Sequence, residues 1–152
     1  MNDFEGRPST PTREAGPAEA GATLFGFIDA ANHLQHRISE ALARVGLSWP
    51  KYEVLKYLTD SDESVTLGCL AENRSCARSN ITQIVDRLEA EGLVRRVDDP
   101  TDRRSVRAEL TPTGSARAEE GSAQMEMVMA EFAATLDVGD RAELMRLLEK
   151  LR

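Results

Sequence analysis

Apolar residues recur every three or four positions through most of this 152-residue chain, a spacing that predicts a largely helical protein. A long first helix is predicted from Thr23 to Gly46, where glycine suits a left-handed helix end. Ser48 and Pro50 predict the start of a second helix, because serine caps a helix and proline is tolerated in its first turn. The expected buried stripe of this second helix is formed by Val54, Leu55 and Leu58.

Two shorter helices are predicted next. The third should begin near Thr66, and the fourth should follow a turn at residues 74–76 and stop at Gly92. The apolar positions of the fourth helix fall on one face and are Ile81, Ile84, Val85 and Leu88. Two short helices joined by so short a turn are typical of a helix-turn-helix.

Beyond Gly92 the helical spacing gives way to two short segments rich in Val, Arg and Leu, at residues 93–97 and 105–110. The stretch between them contains Pro100 and several aspartates, which favour a turn, so a β-hairpin is predicted. Thr111 with Pro112 then predicts the start of a long helix, and Asp137 that of a last one. The predicted fold is therefore mainly α with a small β-hairpin wing, a winged helix-turn-helix with six helices.

The first 20 residues hold three of the six prolines among small and polar residues, so we expect a disordered N-terminal tail. No apolar run approaches the length that spans a bilayer, and the first residues lack the apolar core of a signal peptide. We therefore expect a cytoplasmic protein with no membrane partner. The two cysteines, Cys69 and Cys76, are too few for a disulfide scaffold and are expected to be free thiols.

The formal net charge of −7 hides an uneven distribution. Residues 74–107 hold eight arginines against six acidic residues, whereas the rest of the chain holds eleven basic and twenty acidic residues. Because salt screens charges beyond about 8 Å, a locally basic segment on an acidic body can still bind a polyanion.

The fourth helix and the hairpin carry the candidate DNA-binding residues. Opposite its buried stripe, the helix has short polar side chains near its N-terminal end, which suits the donor and acceptor pattern of base edges in the major groove. Gln83 could pair with adenine, and Arg78 with guanine or a phosphate. At the hairpin turn, Arg103 and Arg104 could enter a minor groove, with Asp102 pairing with one guanidinium.

These residues resemble the MarR (multiple antibiotic resistance regulator) family of winged-helix repressors. The resemblance rests on Leu70 to Glu72, Arg78 to Glu89, Gly92 to Val94, Arg96, Asp98, Pro100, Asp102 to Arg104, Leu110, Thr111 and Gly114. The chain departs from the family pattern at Arg74 and Ser75, where Leu and Gly are usual, and at Ala77, where a capping Ser is common.

The resemblance implies an intertwined homodimer that binds a palindromic operator in double-stranded DNA. Helices in residues 21–47 and 112–152 would dimerise, and residues 48–111 would form the DNA-binding lobe. The DNA contacts that it implies are Arg78, Ser79, Asn80, Thr82, Gln83, Arg87, Asp102, Arg103 and Arg104. It also implies a repressor that a small molecule, such as a phenolic or other aromatic effector, releases from DNA.

His36, Trp49 and Tyr52 are the candidate residues for that effector pocket, although aromatic residues at such positions also serve as plain core. The chain lacks a phosphate loop, metal-ligand spacing and a nucleophile motif, so we expect neither an enzyme nor a cofactor or metal site. Two alternatives stay open. One is a redox-sensing regulator that uses Cys69 and Cys76, and the other is a winged-helix protein-interaction module without DNA binding.

Overall fold

The computed structural model describes residues 16–61, 64–73, 78–102 and 104–151, without the side chains of residues 73, 78 and 79. In these ranges the elements are α1 (Pro17–Ala43), α2 (Trp49–Asp60), β1 (Val65–Thr66), α3 (Leu67–Asn73), α4 (Arg78–Ala90), β2 (Val94–Asp98), β3 (Val106–Leu110), α5 (Pro112–Thr135) and α6 (Val138–Glu149). The predicted six helices and hairpin are confirmed. Within this described part, no helix combines the length and hydropathy that a membrane span requires.

The first helix begins earlier than predicted. Its first residue is Pro17 rather than Thr23, so residues 17–20, which were assigned to the disordered tail, form a helical turn. Proline is favourable at the first helical position, and Glu19 complements the positive end of the helix dipole. The rest of the predicted tail, residues 1–15, lies outside the described residues.

Glycine ends two of the helices, as predicted. Gly46 and Gly92 both adopt a φ of 71°, in the left-handed region that side chains disfavour. In each turn the amide after the glycine donates to a carbonyl five residues back, at 3.0 Å after Gly46 and 2.9 Å after Gly92. This pattern satisfies carbonyl groups that the helix end would otherwise leave unpaired.

The sheet has one strand more than the predicted hairpin. It is antiparallel in the order β1-β3-β2, with Val65 opposite Ala108 and Val94 opposite Leu110. The extra strand, β1, is only two residues long. Two residues are too few to show the alternation by which a strand is detected in a sequence.

The core lies in the lobe formed by α2, α3, α4 and the sheet, and the end of α1 and the first half of α5 complete it. Its largest fully buried side chains are Leu42, Leu55, Leu70, Ile81, Leu88, Val54, Val85 and Val94. The first half of α5 contributes the small residues Gly114, Ala118 and Gly121. A Cβ atom on Gly114 would lie 1.8 Å from the Leu93 carbonyl oxygen, so only glycine allows this approach.

The chain consists of two compact units, residues 1–35 and 36–152, and the boundary between them lies inside α1. In the first unit, the described residues form the N-terminal part of α1, whose side chains Leu24, Phe25, Phe27 and Ile28 are all exposed. In the second unit, α6 has a complete capping box between Asp137 and Asp140 but buries none of its residues, all of which are described. The core therefore belongs to the second unit and ends before α6.

Candidate nucleic-acid interface

Helix α4 is positioned by its apolar face. Ile81, Ile84, Val85 and Leu88 are all buried in the lobe, which leaves the opposite face of the helix to solvent. The predicted contact residues on that face are exposed: Asn80, Thr82, Gln83 and Arg87. The backbone of Arg78 and Ser79 forms the first turn of α4, and their side chains lie outside the description. The atypical turn residues 74–77 are likewise outside the described residues.

Arg96 on β2 neutralises the acidic residues of α4. Its guanidinium donates to the Asp86 carboxylate at 2.5 Å and to Glu89, and its backbone N–H donates to Glu89 Oε1 at 3.1 Å. Partial burial alone would lower the pKa of Arg96, but the hydrogen bonds that it donates to Asp86 and Glu89 outweigh burial and raise the pKa. On α4, the carboxylates of Asp86 and Glu89 are therefore paired with Arg96. Unpaired, they would repel a phosphate backbone beside the polar face of the helix.

Sequence reasoning missed this role of Arg96. The available signal was the spacing of Asp86 and Glu89, which lie three residues apart and so share one side of a helix. Nothing in the spacing indicates which of the many arginines in this segment reaches them, because the partner lies on the next strand.

The wing exposes Arg104, as predicted. The Asp102 carboxylate accepts the backbone N–H of Arg104 at 2.9 Å, so it shapes the turn through the main chain. The sequence led us to expect that Asp102 pairs with the guanidinium of Arg103 or Arg104; the contact seen in the described residues is to the Arg104 main chain. Arg103 lies outside the described residues.

Asp99 also holds the wing turn together, through hydrogen bonds to residues of the turn. It was not predicted as a site residue. Although charged, it is only 6 % exposed. Its Oδ1 accepts the Thr101 backbone N–H at 2.8 Å, the Thr101 hydroxyl at 2.7 Å and the Asp102 N–H at 3.2 Å. The Thr101 hydroxyl and amide, together with the Arg107 guanidinium, hold the pKa of Asp99 far below its ordinary value. The carboxylate is therefore ionised throughout the physiological range.

Helix α4 and the wing border one cleft of about 280 Å³. Thr82 lines it from α4 and Arg104 from the wing, and the other lining residues are Thr66, Leu67, Gly68, Ser105 and Val106. Two of the predicted DNA-contact residues, from segments far apart in sequence, are thus brought together on one surface.

The predicted effector residues are only partly brought together. Tyr52 is buried in the core, and its ring centroid lies 6.0 Å from that of Trp49, which is 39 % exposed. The Tyr52 hydroxyl is 3.5 Å from Ser122 Oγ on α5. His36 is exposed on α1, where its Nε2 lies 3.3 Å from the Glu40 carboxylate.

Cys69 is half-buried on α3, with its Sγ 3.5 Å from the Tyr57 hydroxyl. Cys76, its proposed redox partner, lies outside the described residues.

Comparison with known proteins places this lobe in a family. The MarR family model matches residues 47–106, which contain α2 to the start of β3. The HTH-type transcriptional repressor Rv2887 of Mycobacterium tuberculosis is 30 % identical over 118 residues, covering 78 % of this chain and 84 % of the relative. The chain belongs to the MarR family.

Two other known proteins are similar to this chain. The HTH-type transcriptional repressor YetL of Bacillus subtilis is 32 % identical over 108 residues, and the match covers 70 % of this chain and 63 % of YetL. A mutant of MarR from Escherichia coli, solved in complex with operator DNA, has the same fold, with a TM-score of 0.75 and 24 % identity over 90 % of this chain and 99 % of the other. The protein is thus a MarR-family transcriptional regulator.

Proposed function

We propose that this protein represses transcription by binding a palindromic DNA operator as a symmetric homodimer, and that a small-molecule effector releases it. The observation that carries the proposal is the shared cleft to which α4 contributes Thr82 and the wing contributes Arg104. A polar helix face and an exposed arginine beside it can engage a major groove and the neighbouring minor groove at once.

The charge arrangement supports DNA as the partner. Gln83 and Arg87 are exposed on α4, whereas Asp86 and Glu89 are paired with Arg96. The positive charge of Arg87 is thereby available to the phosphates, and the negative charges of Asp86 and Glu89 are compensated by Arg96. The E. coli MarR mutant, which has the same fold, was solved with operator DNA, and this precedent supports the same mode of docking here.

Exposed apolar side chains support the dimer. They lie on α1, α5 and α6 and just past the end of α6, and include Phe25, Met129, Val138, Met145 and Leu151. Such side chains are costly to leave in water, and a second copy of the chain would cover them. Two-fold symmetry would then place the two α4 helices roughly 34 Å apart, so that they enter successive major grooves on one face of the duplex.

Selection of bound duplexes from a random pool, followed by footprinting, tests the proposal. We expect a palindromic consensus with two protected half-sites one helical turn apart. Arg104→Ala should weaken binding to most sequences and reduce its salt dependence, whereas Gln83→Ala should relax the choice of base at one step. A monomer in sedimentation, or no duplex binding at low ionic strength, would instead favour a protein-interaction module.

Effector release requires a ligand with different affinities for the DNA-bound and released conformations. Trp49 is the only tryptophan in the chain and lies beside Tyr52, so tryptophan fluorescence, corrected for absorption by the added compound, reports on this region alone. We expect phenolic compounds to change that fluorescence and, at the same concentrations, to release a labelled duplex. The Trp49→Phe variant controls for the fluorescence signal, and a compound that releases DNA without changing the fluorescence would place the effector elsewhere.

A further inference from the structure

Arg107 ties the wing turn to the edge of the sheet. It lies on β3, the central strand, opposite Thr66 of β1 and Val97 of β2. Its Nη1 donates to Asp99 Oδ2 at 2.9 Å. Its other two nitrogens donate to Ser64, just before β1: Nε to the carbonyl at 3.1 Å and to the hydroxyl at 2.9 Å, and Nη2 to the carbonyl at 2.5 Å. All three guanidinium nitrogens are therefore engaged.

From Arg107 the contacts continue without interruption to the exposed tip. Asp99 receives Arg107 on one carboxylate oxygen and holds the Thr101 and Asp102 amides with the other. Asp102 in turn accepts the backbone N–H of Arg104. The turn is also closed by main-chain bonds, from Asp99 N–H to the Ser105 carbonyl at 3.3 Å and from Ser105 N–H to the Asp102 carbonyl at 2.9 Å. The backbone at Arg104 is thus held through a fixed series of bonds.

We propose that Arg107 is a positioning residue for DNA binding: through Asp99 it orders the wing turn, so that Arg104 is presented to the minor groove in one orientation. This role rests on the proposed DNA-binding function. Ordering the turn before binding would lower the entropy that is lost when the duplex docks. The planar guanidinium reaches Ser64 and Asp99 from three separate nitrogens, whereas a lysine ammonium would donate from a single atom and could not keep this geometry.

The first test measures the free protein and does not depend on DNA. In Arg107→Gln, amide exchange at Thr101, Asp102 and Arg104 should rise by about tenfold, whereas amides within α4 should keep their wild-type rates. Arg95→Gln is the matched control, because Arg95 is also a strand arginine in a two-bonded pair, with Glu109 at 3.0 and 3.1 Å. Unchanged exchange at the turn in Arg107→Gln would overturn the proposal.

The second test asks whether Arg107 acts through Arg104. Arg107→Gln and Arg107→Lys should each weaken operator binding by about tenfold and abolish the minor-groove footprint, while major-groove protection by α4 persists. In an Arg104→Ala background, Arg107→Gln should cause little further loss, because the group that it positions is gone. Losses that multiply in the double variant would show that Arg107 only supports the fold.

Two controls separate the possible failures. Thr101→Val removes one exposed hydroxyl that binds Asp99 and should show the same footprint change in weaker form, even if the Arg107 variants fold poorly. If the wild-type protein binds no duplex, the proposed function fails, and with it the DNA-binding role of Arg107. If the wild type binds and Arg104→Ala weakens it, but the Arg107 and Thr101 variants bind normally, only the inference about Arg107 fails.

Discussion

The lobe of α2, α3, α4 and the sheet differs from α6 in how much of its apolar surface a single chain buries. Leu88 in the lobe is 0 % exposed, whereas Leu147 in α6 is 45 % exposed, although both are leucines on amphipathic helices. The lobe has α2, α3, α4 and the sheet around one core, which Leu42 of α1 and Ala118 and Met125 of α5 complete. Helix α6 buries no residue in its own chain. The contrast indicates that the core of the lobe is completed within one chain, with α1 and α5 contributing to it, whereas α6 leaves its apolar side chains for a second surface, which we propose is another copy.

The largest expected effect lies where the lobe meets α5. Gly114→Ala should destabilise the protein by about 4 kcal/mol, because its Cβ would lie 1.8 Å from the Leu93 carbonyl oxygen and backbone atoms cannot move aside cheaply. Urea denaturation measures this change. Gly92→Ala is the control, since its Cβ would have no atom within 4 Å. Only its left-handed φ should matter, at about 1 kcal/mol. Equal losses in the two variants would contradict the close packing of α5 on the lobe.

A pair of leucine truncations tests the comparison directly. Leu88→Ala should lower the free energy of unfolding by about 3 kcal/mol at every protein concentration, because it leaves a cavity in a complete core. Leu147→Ala should instead raise the dimer dissociation constant by about tenfold while leaving the lobe intact. Sedimentation equilibrium and denaturation together separate the two effects. The contrast breaks down if Leu147→Ala leaves self-association unchanged.

Within the lobe, the pairing of Arg96 with the acidic residues of α4 can be tested by charge removal. Arg96→Gln should reduce operator affinity by about tenfold, because the Asp86 and Glu89 carboxylates would then face the phosphates unpaired. Adding Asp86→Asn in the same chain should restore part of that loss. A fluorescence anisotropy titration at several salt concentrations provides the measurement. An effect of Arg96→Gln that does not depend on salt, or that Asp86→Asn cannot relieve, would argue against electrostatic repulsion.

The smallest expected effect is the pH dependence of the wing turn. Because the folded protein lowers the pKa of Asp99, its contribution to stability is present above the ordinary aspartate pKa of about 3.9 and is lost as pH falls towards the lowered value. Wild-type stability should therefore exceed that of Asp99→Asn at pH 7, and the difference should shrink below about pH 4. Thermal unfolding from pH 7 to pH 3 measures it. A difference that stays constant through this range would mean that Asp99 does not act as an ionised group.

Local signals predicted most of the fold. The Thr111 side chain accepts the Gly114 N–H at 3.0 Å, and the Asp137 side chain accepts the Asp140 N–H at 2.8 Å, as their capping residue types suggest. The buried face of α4 also followed from its spacing. The buried face of α5 that consists of the small residues Gly114, Ala118 and Gly121 was not predicted. Glycine carries no hydrophobic signal, even where close packing requires it.

The sequence predicted the exposed residues of the candidate site but not the residues that hold them in place. Thr82, Gln83 and Arg104 were identified because exposed polar residues on a helix-turn-helix and its wing suggest contact with a ligand. Arg96 and Arg107 were not assigned a role, although both are arginines in the same basic segment. The partners of Arg96 are settled by the packing of β2 beside α4. Those of Arg107 are settled by the sheet and the wing turn, and Ser64 lies 43 residues from it.

By itself, the sequence determined the order of the helices, the glycine stops, the side-chain caps of α5 and α6 and the exposed face of α4, because each depends on residues within a few positions of one another. The predicted cap at Ser48 was wrong in part, since α2 begins there but the Ser48 side chain makes no cap hydrogen bond. The tertiary structure alone decided which arginines face solvent and which support the site. Arg104 is exposed at the wing, whereas Arg96 and Arg107 bind carboxylates. The physical reason is that a guanidinium has the same chemistry everywhere in the sequence, and only the folded chain determines which partners lie within hydrogen-bonding distance.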